Sequence, residues 1–214
     1  MPATPIDIES WNRGDHFKFF MSSAGSTRLS LTQPLDVTEL AFFCKKNTIS
    51  FYYSLIFLVT QTANEIAGFR HRVVDGQPFE FDILHPLFTD LNKNDDLFKL
   101  VMAEMKTHLI DFVKKAKQLS KDQSEYLPVN TFMDRYDILN ITCYPWGDFS
   151  SMQVKPVQQE NYDPGIPFIA WGKYQQQASR LMTSLHTEVN HCFLDAIHLY
   201  QFKTHLEDKI KLLK

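Results

Sequence analysis

The sequence predicts an α+β fold: a mixed β-sheet with helices packed on one side, a two-layer sandwich. Three observations carry this expectation. Apolar residues between positions 36 and 66 recur at helical spacing, the second half is dominated by short β-type runs, and the C-terminal segment is helical again. Helices first, then strands, then a closing helix differs from the alternating βαβ order of a parallel sheet. The 214 residues are read as one domain, 1–214, large enough for a sizeable core.

Each element has its own signal. Asp36-Val37-Thr38-Glu39 has the form of a capping box and predicts a helix through Leu40, Phe43 and Cys44. Residues from about Ser50 to Ile66 predict a second, largely buried helix that ends near Gly68. Two strands are expected over 69–74 and 79–84, about an Asp75-Gly76 turn, with Pro78 lengthening the connection beyond a strict two-residue hairpin. Leu97, Val101, Met105, Leu109, Phe112 and Ala116 share one helical face, so a long amphipathic helix is expected from about Asp95 to Leu119. Its Lys-rich end is read as a solvated helix terminus. Strands follow at 138–144, 168–171 and 181–189, and a final helix runs from about Ala196 to Leu212. No internal repeat, low-complexity tract or Gly/Ser linker interrupts the chain.

Composition narrows the function. Hydrophobic residues make up 44% of the chain and charged residues 22%, which excludes global disorder. The 18 Phe suit an apolar ligand pocket or a subunit interface, and equally a Phe-rich core. A net charge of -3, with no concentration of Lys and Arg, argues against a nucleic-acid partner. Cys44, Cys143 and Cys192 form no CxxC pair, so neither a metal site nor a disulfide framework is expected. The N-terminus lacks a signal-peptide pattern, and the longest apolar run, Ile49 to Val59, is far short of a membrane span. A soluble, cytoplasmic protein with reduced thiols is expected.

The segment from Val189 to His198 carries the chemistry, because it places His191 and Asp195 four residues apart at a strand-to-helix junction. Such a junction projects side chains from a rigid sheet while leaving them open to ligand. Alone the signal is weak, since a histidine beside apolar residues is more often a hydrogen-bonded core residue. His186, His198 and His205 are read that way.

Other segments change the balance. Asn190 to Ala196 resembles the HHxxxDG signature shared by chloramphenicol acetyltransferases and the catalytic domains of dihydrolipoyl acyltransferases. Trp11-Asn12-Arg13-Gly14-Asp15-His16-Phe17 resembles the WxRxxHF element of the first group. Asn140-Ile141-Thr142-Cys143-Tyr144-Pro145-Trp146 resembles its NISxxPW element, and Lys173-Tyr174-Gln175-Gln176 its KYQQ segment. The four occur in the family's order and cover nearly the whole chain. The dihydrolipoyl reading fails on length and on the N-terminal element.

The resemblance implies a CoA-dependent acyltransferase fold and a homotrimer with its site at the subunit interface. Acetyl-CoA is the implied co-substrate, a hydroxyl of chloramphenicol the acceptor, and no metal takes part. His191 matches the general base, whose imidazole accepts the acceptor's proton. Thr142 falls where the family has a Ser that donates to the oxyanion. Asp195 and Arg13 match a buried ion pair that fixes the turn carrying His191. By position Tyr52, Trp146, Lys173 and Tyr174 line the coenzyme tunnel, and Phe19, Phe20, Phe149, Met152, Val154 and Phe168 the acceptor pocket, each of the latter equally a core residue.

The signature has departures. Asn190 replaces the first His, Ala196 the Gly, and Ala170 a Thr that positions a water. Phe20 replaces a Tyr whose hydroxyl helps hold the antibiotic. Ala196 costs about 1 kcal/mol if that position needs a positive φ. Three readings follow: acetylation of chloramphenicol, the same chemistry on another hydroxyl acceptor, or a CoA- or ligand-binding protein without turnover. His191 together with a hydroxyl at Thr142 argues against the third.

Overall fold

The computed structural model describes residues 2–22, 28–153 and 163–213. Ten strands and six α-helices are described: β1 (Ala3–Pro5), α1 (Gly14–Ser22), β2 (Arg28–Asp36), α2 (Thr38–Asn47), α3 (Phe51–Glu65), α4 (Ala67–Arg70), β3 (His71–Val74), β4 (Gln77–Phe81), β5 (His85–Leu91), β6 (Phe98–Met102), α5 (Leu109–Asp122), β7 (Ile138–Tyr144), β8 (Phe168–Gly172), β9 (Gln175–Gln177), β10 (Arg180–Asn190) and α6 (Ala196–Lys211). A mixed sheet runs in the order β2-β10-β8-β7-β5-β6, with β9 on β10, and a smaller sheet runs β1-β4-β3. Only the β5–β7 and β7–β8 pairs of the large sheet are parallel. The predicted α+β class with a mixed sheet is what the chain adopts.

Residue alternation decides the faces of the large sheet. Leu35, Leu185, Val189, Ile169, Trp171, Ile141 and Phe88 join the core with residues of α3 and α6. The opposite face presents a polar set: Ser30 and Thr32 on β2, Ser184, His186, Glu188 and Asn190 on β10, Asn140 and Thr142 on β7. The registers Thr32↔His186, His186↔Ala170 and Ala170↔Thr142 align one lateral row on that face. Helix α3 sits at the centre of the other layer. Ser50 caps it through the Tyr53 N–H, and its buried Thr60 and Thr62 hydroxyls donate to Ile56 and Leu58 carbonyls one turn back. That local satisfaction lets the helix bury even its hydroxyl groups.

Several expectations need correction. The helix expected from Asp95 starts only at Leu109, and residues 98–102 form β6 instead. The inward positions of β6 are Lys99 and Val101; Lys99 is buried because its ammonium donates to Asn92 Oδ1 and to the Ser120 and Gln123 carbonyls. A buried lysine and an exposed Phe98 disguise the strand's alternation as a helical one. The Asp75-Gly76 connection is a strict two-residue hairpin, since Val74 pairs with Gln77. Both turn residues have positive φ, 49° and 77°, as a type I′ turn needs. Pro78 does not lengthen it: its carbonyl accepts the Ile6 N–H on the β1 side, so its missing N–H faces away from the hairpin.

The strand expected from Phe69 starts at His71, after the short α4, and β4 stops at Phe81, before Leu84. Asp36 closes no capping box with Glu39. Its carboxylate accepts the Thr38 N–H and hydroxyl, and its own N–H goes to Glu207. No helix of the described residues is long and apolar enough to cross a membrane.

Candidate active site

The turn after β10 is tied down from several directions. Asn190 Oδ1 accepts the Cys192 N–H at 2.8 Å, and the Asn190 carbonyl accepts those of Phe193 and Leu194. Arg13, just before α1, reaches across from the other end of the chain. Its guanidinium grips Asp195 with two parallel bonds of 2.6 and 2.7 Å. The same group donates to the carbonyls of Cys192 at 2.7 Å and His191 at 2.8 Å. His198 Nδ1 accepts the Asp195 N–H at 2.9 Å, which fixes the start of α6. The hydrogen bonds from Arg13, and then its charge, hold the Asp195 carboxyl below its ordinary value.

Packing reinforces the turn. Phe193 meets Phe17 and Trp11 from the N-terminal element, with ring centroids 6.0 and 6.4 Å apart. Gly165, at φ +84°, lies so close that an added Cβ would come 2.8 Å from the Phe193 ring. Only glycine meets both demands there.

His191 stands on this turn, half-buried. Phe20 of α1 stacks on its ring at 4.5 Å with a 19° tilt. Nδ1 lies 3.1 Å from Asp195 Oδ1 but out of hydrogen-bond alignment. The cysteine thiols are poor nucleophiles here. Burial pushes the thiols of Cys143 and Cys192 up to about 12 and about 11, far from thiolate formation at neutral pH. His186 is buried, its Nδ1 2.9 Å from the Thr32 hydroxyl, and burial lowers its pKa.

Thr142 lies elsewhere, on the polar face of β7. Its hydroxyl is 2.6 Å from that of Thr89 on β5. Register measures its separation from His191. Thr142 pairs with Ala170, and Ala170 with His186, five residues before His191 on β10. Five residues at about 3.3 Å each, and two strand spacings of about 4.8 Å, put the two on the order of 20 Å apart. One chain does not bring the imidazole and this hydroxyl onto one reacting centre.

Comparison with known proteins assigns the family. The sequence profile of chloramphenicol acetyltransferases matches residues 1–207. The chain belongs to the chloramphenicol acetyltransferase family. It is 25% identical to chloramphenicol acetyltransferase 3 of Escherichia coli over 211 residues, covering 97% of each chain. It is 26% identical to the chloramphenicol acetyltransferase of Staphylococcus aureus, covering 96% of this chain and 95% of that one. A solved chloramphenicol acetyltransferase shares the fold over the whole of both chains, with a TM-score of 0.87 and 24% identity.

Within this member of the chloramphenicol acetyltransferase family, the two departures in the signature are absorbed locally. Asn190 supplies the amide oxygen that holds the turn, and Ala196 is the first residue of α6 with no positive φ, so the expected penalty does not arise. The coenzyme candidates fall into two groups. Trp146 and Tyr174 are exposed, and Lys173, whose N–H donates to the Gly147 carbonyl, joins their two loops beyond β7 and β8. Tyr174 also meets Phe51 at the start of α3. Tyr52 is different: it packs on Phe88 and Trp171 in the core, and its hydroxyl donates to the Thr89 carbonyl.

The acceptor candidates are also divided. Phe20, with the exposed Phe19 edge-on at 5.2 Å, belongs to the His191 side. Phe168 is on the polar sheet face, its ring 6.1 Å from that of His186. Phe149 and Met152 are half-buried in the loop after β7, and Val154 lies outside the described residues. Among the described residues, no group of three or more His, Cys, Asp or Glu is arranged to hold a metal. Sequence reasoning missed Thr89, which carries no motif, and Gly165, whose role is visible only once Phe193 packs beside it.

Proposed function

We propose that this chain transfers the acetyl group of acetyl-CoA to a hydroxyl of chloramphenicol, with His191 as general base. The observation that carries the reading is the turn from Asn190 to Asp195, which Arg13 holds at four points while His191 stays accessible. In this reading the imidazole takes the proton of the acceptor hydroxyl as that oxygen attacks the thioester carbon. The carbonyl electron pair moves onto oxygen, where Thr142 donates a hydrogen bond. Collapse restores the carbonyl, breaks the C–S bond, and returns the proton from His191 to the CoA sulfur. No enzyme acyl group forms, in keeping with the raised thiol pKa values of Cys143 and Cys192.

The site is read as an interface between copies. The separation of Thr142 from His191 within one chain supports a centre where His191 of one copy meets Thr142 of the next. Family membership supports three copies. Trp146, Lys173 and Tyr174, gathered at one end of β7 and β8, suit a coenzyme: a Lys pairs with phosphate and aromatic faces cover adenine. Tyr52 fits that role poorly, since its hydroxyl is already bound within the core. The location is taken to be the cytoplasm, where the three free cysteines stay reduced.

Release of free thiol from acetyl-CoA tests the reaction directly. Chloramphenicol-dependent release that disappears in His191→Ala is the expected result. Release with another alcohol but not the drug would reassign the acceptor, and none with a broad panel of alcohols would overturn catalysis. Sedimentation of the purified protein tests the trimer.

A further inference from the structure

Thr142 does not stand alone on its strand. Its hydroxyl lies 2.6 Å from that of Thr89, a contact in which either group is able to donate. Thr89 is itself held from behind. Tyr52 of α3 donates to the Thr89 carbonyl at 2.5 Å, and Tyr53 to the carboxylate of Asp90 at 2.5 Å. Ser120 of α5 donates to the same Asp90 oxygen at 2.6 Å. Two consecutive tyrosines and a serine thus clamp two consecutive residues of β5 against the helix layer. The Thr89 hydroxyl, on the opposite face of the sheet, is offered to Thr142 from a fixed backbone.

Donor direction gives this contact a consequence. If Thr142 donated to Thr89, its only proton would be engaged and nothing would remain for an oxyanion. If Thr89 donates, its bond occupies a lone pair of Thr142 and leaves the Thr142 proton free to point at substrate. Negative charge developing on the substrate oxygen favours the second arrangement, because each bond in such a chain polarises the next.

We propose that Thr89 is a positioning residue that orients the Thr142 hydroxyl as an oxyanion donor and strengthens it as charge develops. The inference rests on the acetyl-transfer reading above. Thr89 touches no substrate and changes no covalent bond; it acts only through Thr142.

The test is a double-mutant cycle on the full-length protein, following thiol release with saturating chloramphenicol. Thr142→Ala is expected to lower kcat by about 10²-fold, as loss of an oxyanion donor does. Thr89→Val, of the same shape without the hydroxyl, is expected to lower kcat by roughly 10-fold with KM for acetyl-CoA changed less than about 2-fold. Thr89→Ser restores most of the activity. Placed on the Thr142→Ala background, Thr89→Val changes kcat by less than about 2-fold, because the group it acts through is gone.

An equal loss on both backgrounds, or a wild-type kcat in Thr89→Val, would overturn the positioning role while leaving the acetyl-transfer reading intact. Wild-type protein that releases no thiol with any acceptor would instead overturn that reading and this inference together. Thermal melting of Thr89→Val separates a folding defect from an orienting one: a lowered midpoint with equal losses on both backgrounds marks Thr89 as purely structural.

Discussion

Removing the Arg13 side chain should unlock the His191 turn, and the structure sets the scale of the damage. The guanidinium is 13% exposed and the Asp195 carboxylate 34%. Breaking a fully buried pair costs about 3–5 kcal/mol, and the water that reaches Asp195 reduces that share to about 2 kcal/mol. Two carbonyls, of His191 and Cys192, lose a charged donor as well. With one more kcal/mol or so for them, Arg13→Ala should cost about 3 kcal/mol. For a chain of this length that lowers the melting midpoint by roughly 6–12 °C.

Asp195→Asn keeps the size, one acceptor oxygen and both Arg13–carbonyl bonds, so it should cost about 1 kcal/mol, or roughly 2–4 °C. The ordering matters more than either value, because Arg13 bonds three residues and Asp195→Asn leaves two of those contacts in place. Melting at one fixed protein concentration, followed by circular dichroism, reads the midpoints, and thiol release reads the activity. kcat of Arg13→Ala should fall by about 10²-fold as the imidazole leaves its position. An Arg13→Ala midpoint within about 2 °C of wild type, or Asp195→Asn as damaging as Arg13→Ala, would refute the reasoning.

Three further outcomes are expected. Because Arg13 lowers the Asp195 pKa in the folded state, the stability it contributes is fully present above the ordinary value of 3.8 and lost as pH falls through the lowered one. The difference in urea midpoint between wild type and Asp195→Asn should therefore be constant from about pH 7 to 5 and shrink toward zero in strong acid; a difference growing with acidity would contradict the sign. Phe20→Tyr preserves the ring stacked on His191 and adds a hydroxyl, so KM for chloramphenicol should fall by about 5–10-fold at unchanged kcat, checked by steady-state kinetics. Gly165→Ala forces an L side chain into φ +84° and against Phe193, and should lower the melting midpoint by roughly 4–8 °C.

What could be read from sequence depended on how local each signal was. The capped, largely buried segment 51–65 is legible because its hydrogen bonds close within one helical turn. His191 and Asp195 are legible as a unit because four residues separate them. Arg13 lies 182 residues from Asp195, and only the family resemblance connects the two. β5 carries Pro86 near its start, which argues against a central strand until the pairing shows that the Pro86 carbonyl faces β6 and meets Ala103 there. β6 hides behind an inward Lys99. The contact between Thr89 and Thr142 arises from parallel pairing of β5 and β7, whose intervening chain includes β6 and α5. No spacing rule within either strand announces it.

The departures from the family signature then fall into two physical kinds. Asn190 and Ala196 lie in the turn, where the backbone is fixed by Arg13, by the Asn190 amide and by His198, so a substitution survives if it satisfies the same bonds. Phe20 and Ala170 do not contribute to that framework. They offer no polar atom beyond the backbone, and the first lies directly on the imidazole. In the proposed reading, the framework of the turn and the choice of acceptor are controlled by separate residues. A change at Arg13 should move kcat and the melting midpoint together, whereas a change at Phe20 should move KM alone. Joint movement of all three quantities in both variants would show that acceptor recognition and the turn form one cooperative unit.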